Sequence, residues 1–320
     1  MVGRDSVEPP SGERRDFGTR RLDGVSPHHL DRREFLKATV AAASVAALQN
    51  ASAAKPAESA PTDLIDVNVN LSRWPLRRLP CDDTVALVAK LRANGVTQAW
   101  VGSFDTLLHR DLAAVNARLV DECRRHGKGL LVPFGSVNPK LPEWEDDLRR
   151  CAEEHHMPGI RLHPNYHGYK LDDPDFAKLL RLATERGLVV QLALIMEDRR
   201  MMHPLLQVEP PDVAPLAGVV KKTPGLRLVL LNSMNVLRGQ PLLNLLQAGE
   251  VCVEIAMLEG VGGVANLLAQ APASRVLFGS HAPLFYFESA LLKLKESPQN
   301  EEQLRAIRCD NARRVLAKKS

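Results

Sequence analysis

The sequence predicts a single-domain α/β fold, a (β/α)8 TIM barrel with an extra C-terminal helix. Three observations carry that expectation. Apolar runs rich in Val, Leu and Ile alternate with helical patterns eight times between residues 64 and 316. The runs show little period-two alternation, as expected of parallel strands covered on both faces. After loss of an N-terminal leader of 53 residues the 320-residue chain keeps 267, close to the roughly 250 residues typical of this barrel.

The elements follow in order. LIDVNVNL at 64–71 reads as the first strand, and 83–93 as a helix. Residues 98–103 are strand, and 111–126 a helix closed by Gly127. Residues 129–137 are strand and 143–154 helix; 159–163 are strand and 175–186 a helix ended by Gly187. Strand 188–195 precedes a Pro-rich entry to a helix at 213–222, and strand 226–232 a short helix at 241–248. Strand 251–256 is followed by helix 263–270, and strand 275–279 by helix 284–296. The aromatics Phe285, Tyr286 and Phe287 in that last stretch read as packing at the core and barrel mouth. The extra helix covers 301–316.

The leader reads as an address. Asp31-Arg32-Arg33-Glu34-Phe35-Leu36-Lys37 matches a twin-arginine signal. The apolar run from Ala38 to Leu48 is too short to span a bilayer, and Ala51-Ser52-Ala53 supplies a small-x-small cleavage site. Residues 1–53 are thus expected to be signal and leader, 54–62 an Ala/Pro linker, and 63–318 the barrel. Export through the twin-arginine machinery to the periplasm or beyond follows, with no stable membrane span after cleavage. Eight of the 42 Lys/Arg and seven of the 38 Asp/Glu lie in the leader, leaving 34 and 31. That balance argues against an electrostatic nucleic-acid binder. The five cysteines form no CxxC pair, and a protein exported already folded favours buried, reduced thiols.

Function on such a barrel concentrates at the C-terminal ends of the strands. The first strand offers Asp66, Asn68 and Asn70 on one side. The fourth ends in Gly159-Ile160-Arg161-Leu162-His163-Pro164, the fifth contains Gln191, and the sixth ends at Asn232. Glu254 sits inside the apolar seventh strand, where a carboxylate needs a partner. The eighth ends in Phe278-Gly279-Ser280-His281-Ala282-Pro283. His163, His281 and Glu254 are the candidate acid–base groups, because imidazole titrates near neutrality. Asn68, Asn70, Arg73, Arg161, Gln191 and Asn232 are the candidate substrate-binding groups. The run Arg73-Trp74-Pro75-Leu76-Arg77-Arg78 offers guanidinium groups for an anion. Each of these residues also has a structural reading: a satisfied barrel amide, a core histidine, a solvated basic loop.

Ile65-Asp66-Val67-x-Val69, the GIRLHP stretch, Val276-Leu277-Phe278-Gly279-Ser280 and the closing Asp310-Asn311-Ala312-Arg313-Arg314 resemble the amidohydrolase-related metal-dependent hydrolases. That group includes lactone hydrolases and decarboxylases of aromatic acids. The resemblance spans about residues 64–316. It implies a divalent metal held by His-x-His on the first strand, histidines on the fifth and sixth, and the aspartate of Gly-Ser-Asp on the eighth. Here Asn68 and Asn70 replace the first pair, Gln191 and Asn232 stand near or at the next two, and His281 replaces the aspartate. The metal therefore stays unassigned. The resemblance implies a hydrolase or lyase acting on a small organic acid, lactone or amide at a degenerate site, or at one rearranged so that His163, His281 and Glu254 gather the metal. The alternatives are a catalytically inactive exported barrel serving as a ligand-binding or scaffold protein, and a subunit of an exported complex. A homo-oligomer is compatible with either.

Overall fold

The computed structural model describes residues 63–317; the twin-arginine motif, its cleavage site and the 54–62 linker lie outside the described residues. Eight strands form one parallel sheet in sequential order. They are β1 Leu64–Leu71, β2 Val96–Ser103, β3 Leu131–Gly135, β4 Gly159–Leu162, β5 Val189–Ala193, β6 Arg227–Leu231, β7 Glu250–Glu254 and β8 Val276–Leu277. Helices lie between them, so the architecture is the expected (β/α)8 barrel. Every residue of β1, β4, β5 and β6 is buried, which explains why their sequences run apolar rather than alternating. Among the described residues no helix is long and apolar enough to cross a membrane.

Helix placement follows ordinary capping and periodicity. Asp83 and Asp111 each accept a backbone N–H at 2.9 Å from the first turn of their helices. Helix Pro174–Glu185 buries Phe176, Leu179, Leu180 and Ala183 on one stripe. Some boundaries differ from expectation. The helix expected at 284–296 begins at Phe287, because Ala282 is still bonded to β1 and Pro283 has no N–H to contribute. As a result Tyr286 is exposed, while Phe287 packs on Phe278. The helix expected at 301–316 is present, with one wide turn at Ala306–Asp310. There Ile307 turns its carbonyl to the Phe278 N–H at 3.0 Å. Gly127 lies inside such a turn and Lys128 takes the left-handed position instead. Glycine is needed at 127 because a Cβ would meet that of Leu131 at 2.9 Å.

The barrel closes where β1 meets the segment after β8. The Val67 N–H donates to Phe278 O at 3.0 Å, the His281 N–H to Asn68 O at 2.8 Å, and the Asn70 N–H to Ala282 O at 2.9 Å. Side chains reinforce this seam. Asp66 is fully buried and accepts the N–H groups of Asn68 and Ser280, each at 3.0 Å, and the Ser280 hydroxyl. The pairing of β1 with β2 shifts register between Asp66 and Val69, so β1 does not alternate strictly. Asp66 can therefore serve the seam while Asn68 and Asn70 meet side chains of other strands. All five cysteines are free, and four of them are buried. We predict that Ser280→Ala lowers stability by about 1–2 kcal/mol, the scale of one hydrogen bond to a buried carboxylate; urea denaturation checks it, and an unchanged midpoint contradicts the clasp.

Candidate functional site

The strand ends bring Asn68, Asn70, Arg161, Gln191, Asn232, Glu254 and His281 into one buried cluster, none more than 2% exposed. Register does part of the work: β4 and β5 pair so that Arg161 stands opposite Gln191. The Arg161 guanidinium has five N–H donors, and five bonds meet them. Nε donates to Gln191 Oε1 at 2.8 Å. One terminal nitrogen donates to Asn70 Oδ1 and to Val69 O, each at 2.8 Å. The other donates to Trp100 O at 3.0 Å and Val67 O at 3.3 Å. Gln191 Nε2 adds a bond to Val67 O at 2.7 Å. One cation thus fastens β1, β2 and β5 to β4. Gly102 makes room for it, since a Cβ there would lie 2.8 Å from Arg161 Cδ.

Glu254 is equally enclosed. Its Oε1 accepts the Asn232 N–H at 2.6 Å and the Asn68 amide at 3.3 Å, and its Oε2 accepts the Ala256 N–H. Gly279 clears the space, because a Cβ there would sit 2.5 Å from Oε2. Burial raises the Glu254 carboxyl above its ordinary range, opposed by its backbone donors and by Lys293. Asp66 is pushed up to about 7 by burial, against its bonds to Ser280 and Asn68. Arg161 is pushed down to about 9 by burial, with Asp66 and Glu254 opposing that shift as counter-charges.

The amides and His281 complete the network. Asn68 Nδ2 donates to Asn232 Oδ1 at 2.8 Å, and Asn232 Nδ2 to Ile195 O at 2.8 Å. His281 Nε2 lies 2.9 Å from Met196 O; a carbonyl only accepts, so Nε2 carries the proton. Nδ1 is then an acceptor, 3.5 Å from Asn70 Nδ2. The 3.4 Å approach of Asn232 Nδ2 to Nε2 places donor against donor and is proximity only. Burial, the largest cause, pushes His281 down to about 4.

His163 stands apart from this bonding. It is 2% exposed, and its Nδ1 has no hydrogen-bond partner among the described residues. Burial holds it well below its usual value, with smaller contributions from His167, Arg161 and His281. Arg73 is exposed in the loop after β1 and does not join the cluster. Of the other two arginines in its run, Arg77 pairs with Glu197, and Arg78 bonds Asp82, with one contact at 2.9 Å. His109, Arg199, His203 and Glu259 are exposed.

Sequence reasoning placed Asp66 on the right strand but gave it no role, and Ser280 was read only within a motif. The signal for Asp66 was available: a carboxylate inside an apolar strand, the same warrant that singled out Glu254.

A metal does not fit this donor set. The oxygens of Asn70 and Gln191 accept from Arg161, and that of Asn232 from Asn68. Glu254 faces backbone donors, and His281 directs its N–H at a carbonyl. The rearranged site of His163, His281 and Glu254 is not formed: among the described residues no group of three His, Cys, Asp or Glu is placed to hold a metal ion.

Comparison with known proteins gives a family and a fold. The amidohydrolase family pattern matches residues 73–318. No curated protein matches the chain. Among solved structures, a 5-carboxyvanillate decarboxylase from Sphingomonas paucimobilis is similar at a TM-score of 0.63 and 14% identity, over 80% of this chain and 99% of that one. A 2,6-dihydroxybenzoate decarboxylase from Rhizobium gives 0.61 and 13%, over 80% and 98%. An uncharacterized TIM-barrel protein from Bordetella bronchiseptica gives 0.61 and 16%, over 80% and 99%.

Two outcomes follow from the cluster. Arg161→Met strands two carboxylates and five acceptors in a dry interior, so a loss of about 3–5 kcal/mol is expected in urea denaturation; a loss below about 1 kcal/mol contradicts the network. The second concerns pH. Unfolded His281 takes its proton near 6.5, whereas the folded residue resists until about 4. In that window the unfolded state binds more protons, so this contribution is present above 6.5 and is lost as pH falls toward 4. Asp66 acts oppositely: its contribution is present below 3.8 and is lost as pH rises through about 7. Subtracting the stability of His281→Asn isolates the histidine: the wild-type advantage should shrink on acidification from pH 6.5 to 4, and a constant difference rejects the assignment.

Proposed function

The chain belongs to the amidohydrolase family, a group of hydrolases and lyases on this barrel, and from that premise we propose that it binds a small organic acid, lactone or amide at the barrel mouth without metal-activated water. The observation that carries this reading is the Arg161 network. A guanidinium bonded to Asn70, Gln191 and three carbonyls cross-links the strand ends at positions where the family resemblance calls for metal-binding histidines. Carboxamide oxygens are weak ligands for zinc beside imidazole, and these are already engaged. The proposed role is an exported ligand-binding barrel. Export rests on Arg32-Arg33 and the apolar run after them.

A second reading is favoured by one observation. His163 is buried, burial favours its neutral form, and its Nδ1 has no partner among the described residues, so it can accept a proton from a bound molecule. Metal-free hydrolysis or lyase chemistry would then centre on it. Loss of the metal forgoes the large lowering of water pKa that hydrolases of this kind use, so only an activated substrate would turn over.

One preparation tests both readings. The protein is purified from the exported fraction without chelator, its N-terminus sequenced, and its metal content measured beside His281→Ala. The expected result is a chain beginning at Ala54 with metal well below about 0.1 per chain. Near-stoichiometric zinc, manganese or iron, lost in the variant, would sink the metal-free reading; retention of the leader would sink export. Turnover of an activated lactone or amide that is abolished in His163→Gln would select the catalytic reading over the binding one.

A further inference from the structure

A cleft lies at the end of the barrel opposite the strand-end cluster. Its volume is about 790 Å³, within the roughly 300–1,000 Å³ of small-molecule sites. Three helix-to-strand connections line it, at 223–226, 247–250 and 270–275, so it opens where β6, β7 and β8 begin. Chemistry on such barrels gathers where the strands end, so this cleft is a separate place. Gly249 lets the second connection close on helix Leu216–Lys221: a Cβ there would lie 2.8 Å from Val220 Cγ1. Val220, Leu226, Leu243 and Leu246 give the cleft an apolar wall.

The charges at its edge do not cancel. Among the lining residues Glu250 is the one carboxylate, and Lys221 and Arg275 are the cations. Glu250 is already claimed from outside, because Arg314 Nη1 donates to its Oε1. Arg275 Nη1 lies 2.8 Å from the same oxygen but makes no hydrogen bond to it. Burial pushes the Glu250 carboxyl up, yet Arg314 and Arg275 together hold it below its ordinary range, so it stays ionised at neutral pH. Arg314 is fixed further by the Ser274 carbonyl at 2.6 Å. The Arg275 guanidinium has no side-chain partner but Glu250 among the described residues, and its side chain is 24% exposed. Lys221 is exposed and has no ion pair among the described residues. Three cations therefore face one carboxylate, beside an apolar wall.

We propose that this cleft binds a small monocarboxylate with an aliphatic chain, its carboxylate on Arg275 and its chain along Val220, Leu243 and Leu246. A planar guanidinium edge matches a carboxylate in shape and charge. Lys221 at the rim adds attraction for the same anion. The chain supplies the apolar area that the wall can take out of water. The site is independent of the reading given for the barrel mouth.

Octanoate, octan-1-ol and acetate separate the two halves of this recognition in calorimetric titration of the purified protein. Octanoate should bind, with octan-1-ol and acetate each at least about tenfold weaker. Arg275→Gln, with its fold verified by circular dichroism, should weaken octanoate about tenfold and leave octan-1-ol within about twofold. Lys221→Gln, a change at an exposed side chain, should weaken octanoate about threefold. No octanoate binding, octan-1-ol binding as tightly as octanoate, or octanoate affinity unchanged in Arg275→Gln would overturn the proposal. If Arg275→Gln does not fold, unchanged affinity in Lys221→Gln would overturn it. Octanoate held at the barrel mouth instead would show as binding indifferent to both variants.

Discussion

Everything at the centre of this barrel depends on one buried cation. The Arg161 side chain is 1% exposed, and a guanidinium in so dry a place is tolerable only if its donors and its charge are both answered. Five acceptors from β1, β2 and β5 answer the donors, and Asp66 and Glu254 answer the charge. The constraint propagates outward. Gly102 must lack a side chain for Arg161 to lie where it does, and Gly279 must lack one for Glu254. The amide oxygens of Asn70 and Gln191 must turn toward the guanidinium, which leaves the Asn70 amide nitrogen for His281 and the Gln191 amide nitrogen for a β1 carbonyl.

Seen this way, the amides are a coherent set and not the remains of decay. A metal held by side chains from several strands cross-links a barrel mouth through coordination bonds. A planar fork with five donors can do the same through hydrogen bonds, provided its partners are acceptors. Imidazoles at 68, 70 and 232 would present rings that protonate and compete for the same space. Carboxamides present an oxygen to one neighbour and an N–H to another: Asn232 Oδ1 accepts from Asn68 while its Nδ2 donates to Ile195 O, and the Asn68 amide and the Asn232 backbone N–H both donate to Glu254. On the metal-free reading proposed above, the polar character of the site is kept without a coordinated dication. Among the described residues His163 and His167 each keep an unpartnered Nδ1, so any chemistry or recognition gathers on their side of the mouth.

The barrel was legible because parallel strands buried on both faces write themselves as unbroken Val/Leu/Ile runs, and because eight of them alternate with helical periods. The polar strand positions were legible for the converse reason: Glu254 and Arg161 stand out against apolar neighbours. Their partners were not. Arg161 bonds residues 30 to 94 positions away, and no local pattern encodes which strand carbonyl a side chain will meet. The same limit hid the Asp66–Ser280 clasp, whose members are 214 residues apart. The late start of the helix at Phe287 escaped for a tertiary reason as well: Ala282 remains tied to β1 when its own sequence would allow a helix to begin. Arg77 looked like an anion clamp because its partner, Glu197, lies in another loop 120 positions on.

The central claim is that a hydrogen-bonded guanidinium network stands where the family resemblance calls for a metal. Crystals grown with excess zinc, with data collected at the zinc edge, test it most directly. The account predicts no anomalous peak among Asn68, Asn70, Asn232 and His281, and a guanidinium of Arg161 still bonded to Asn70 and Gln191. A strong peak at that place, with Arg161 swung away from those amides, would contradict it.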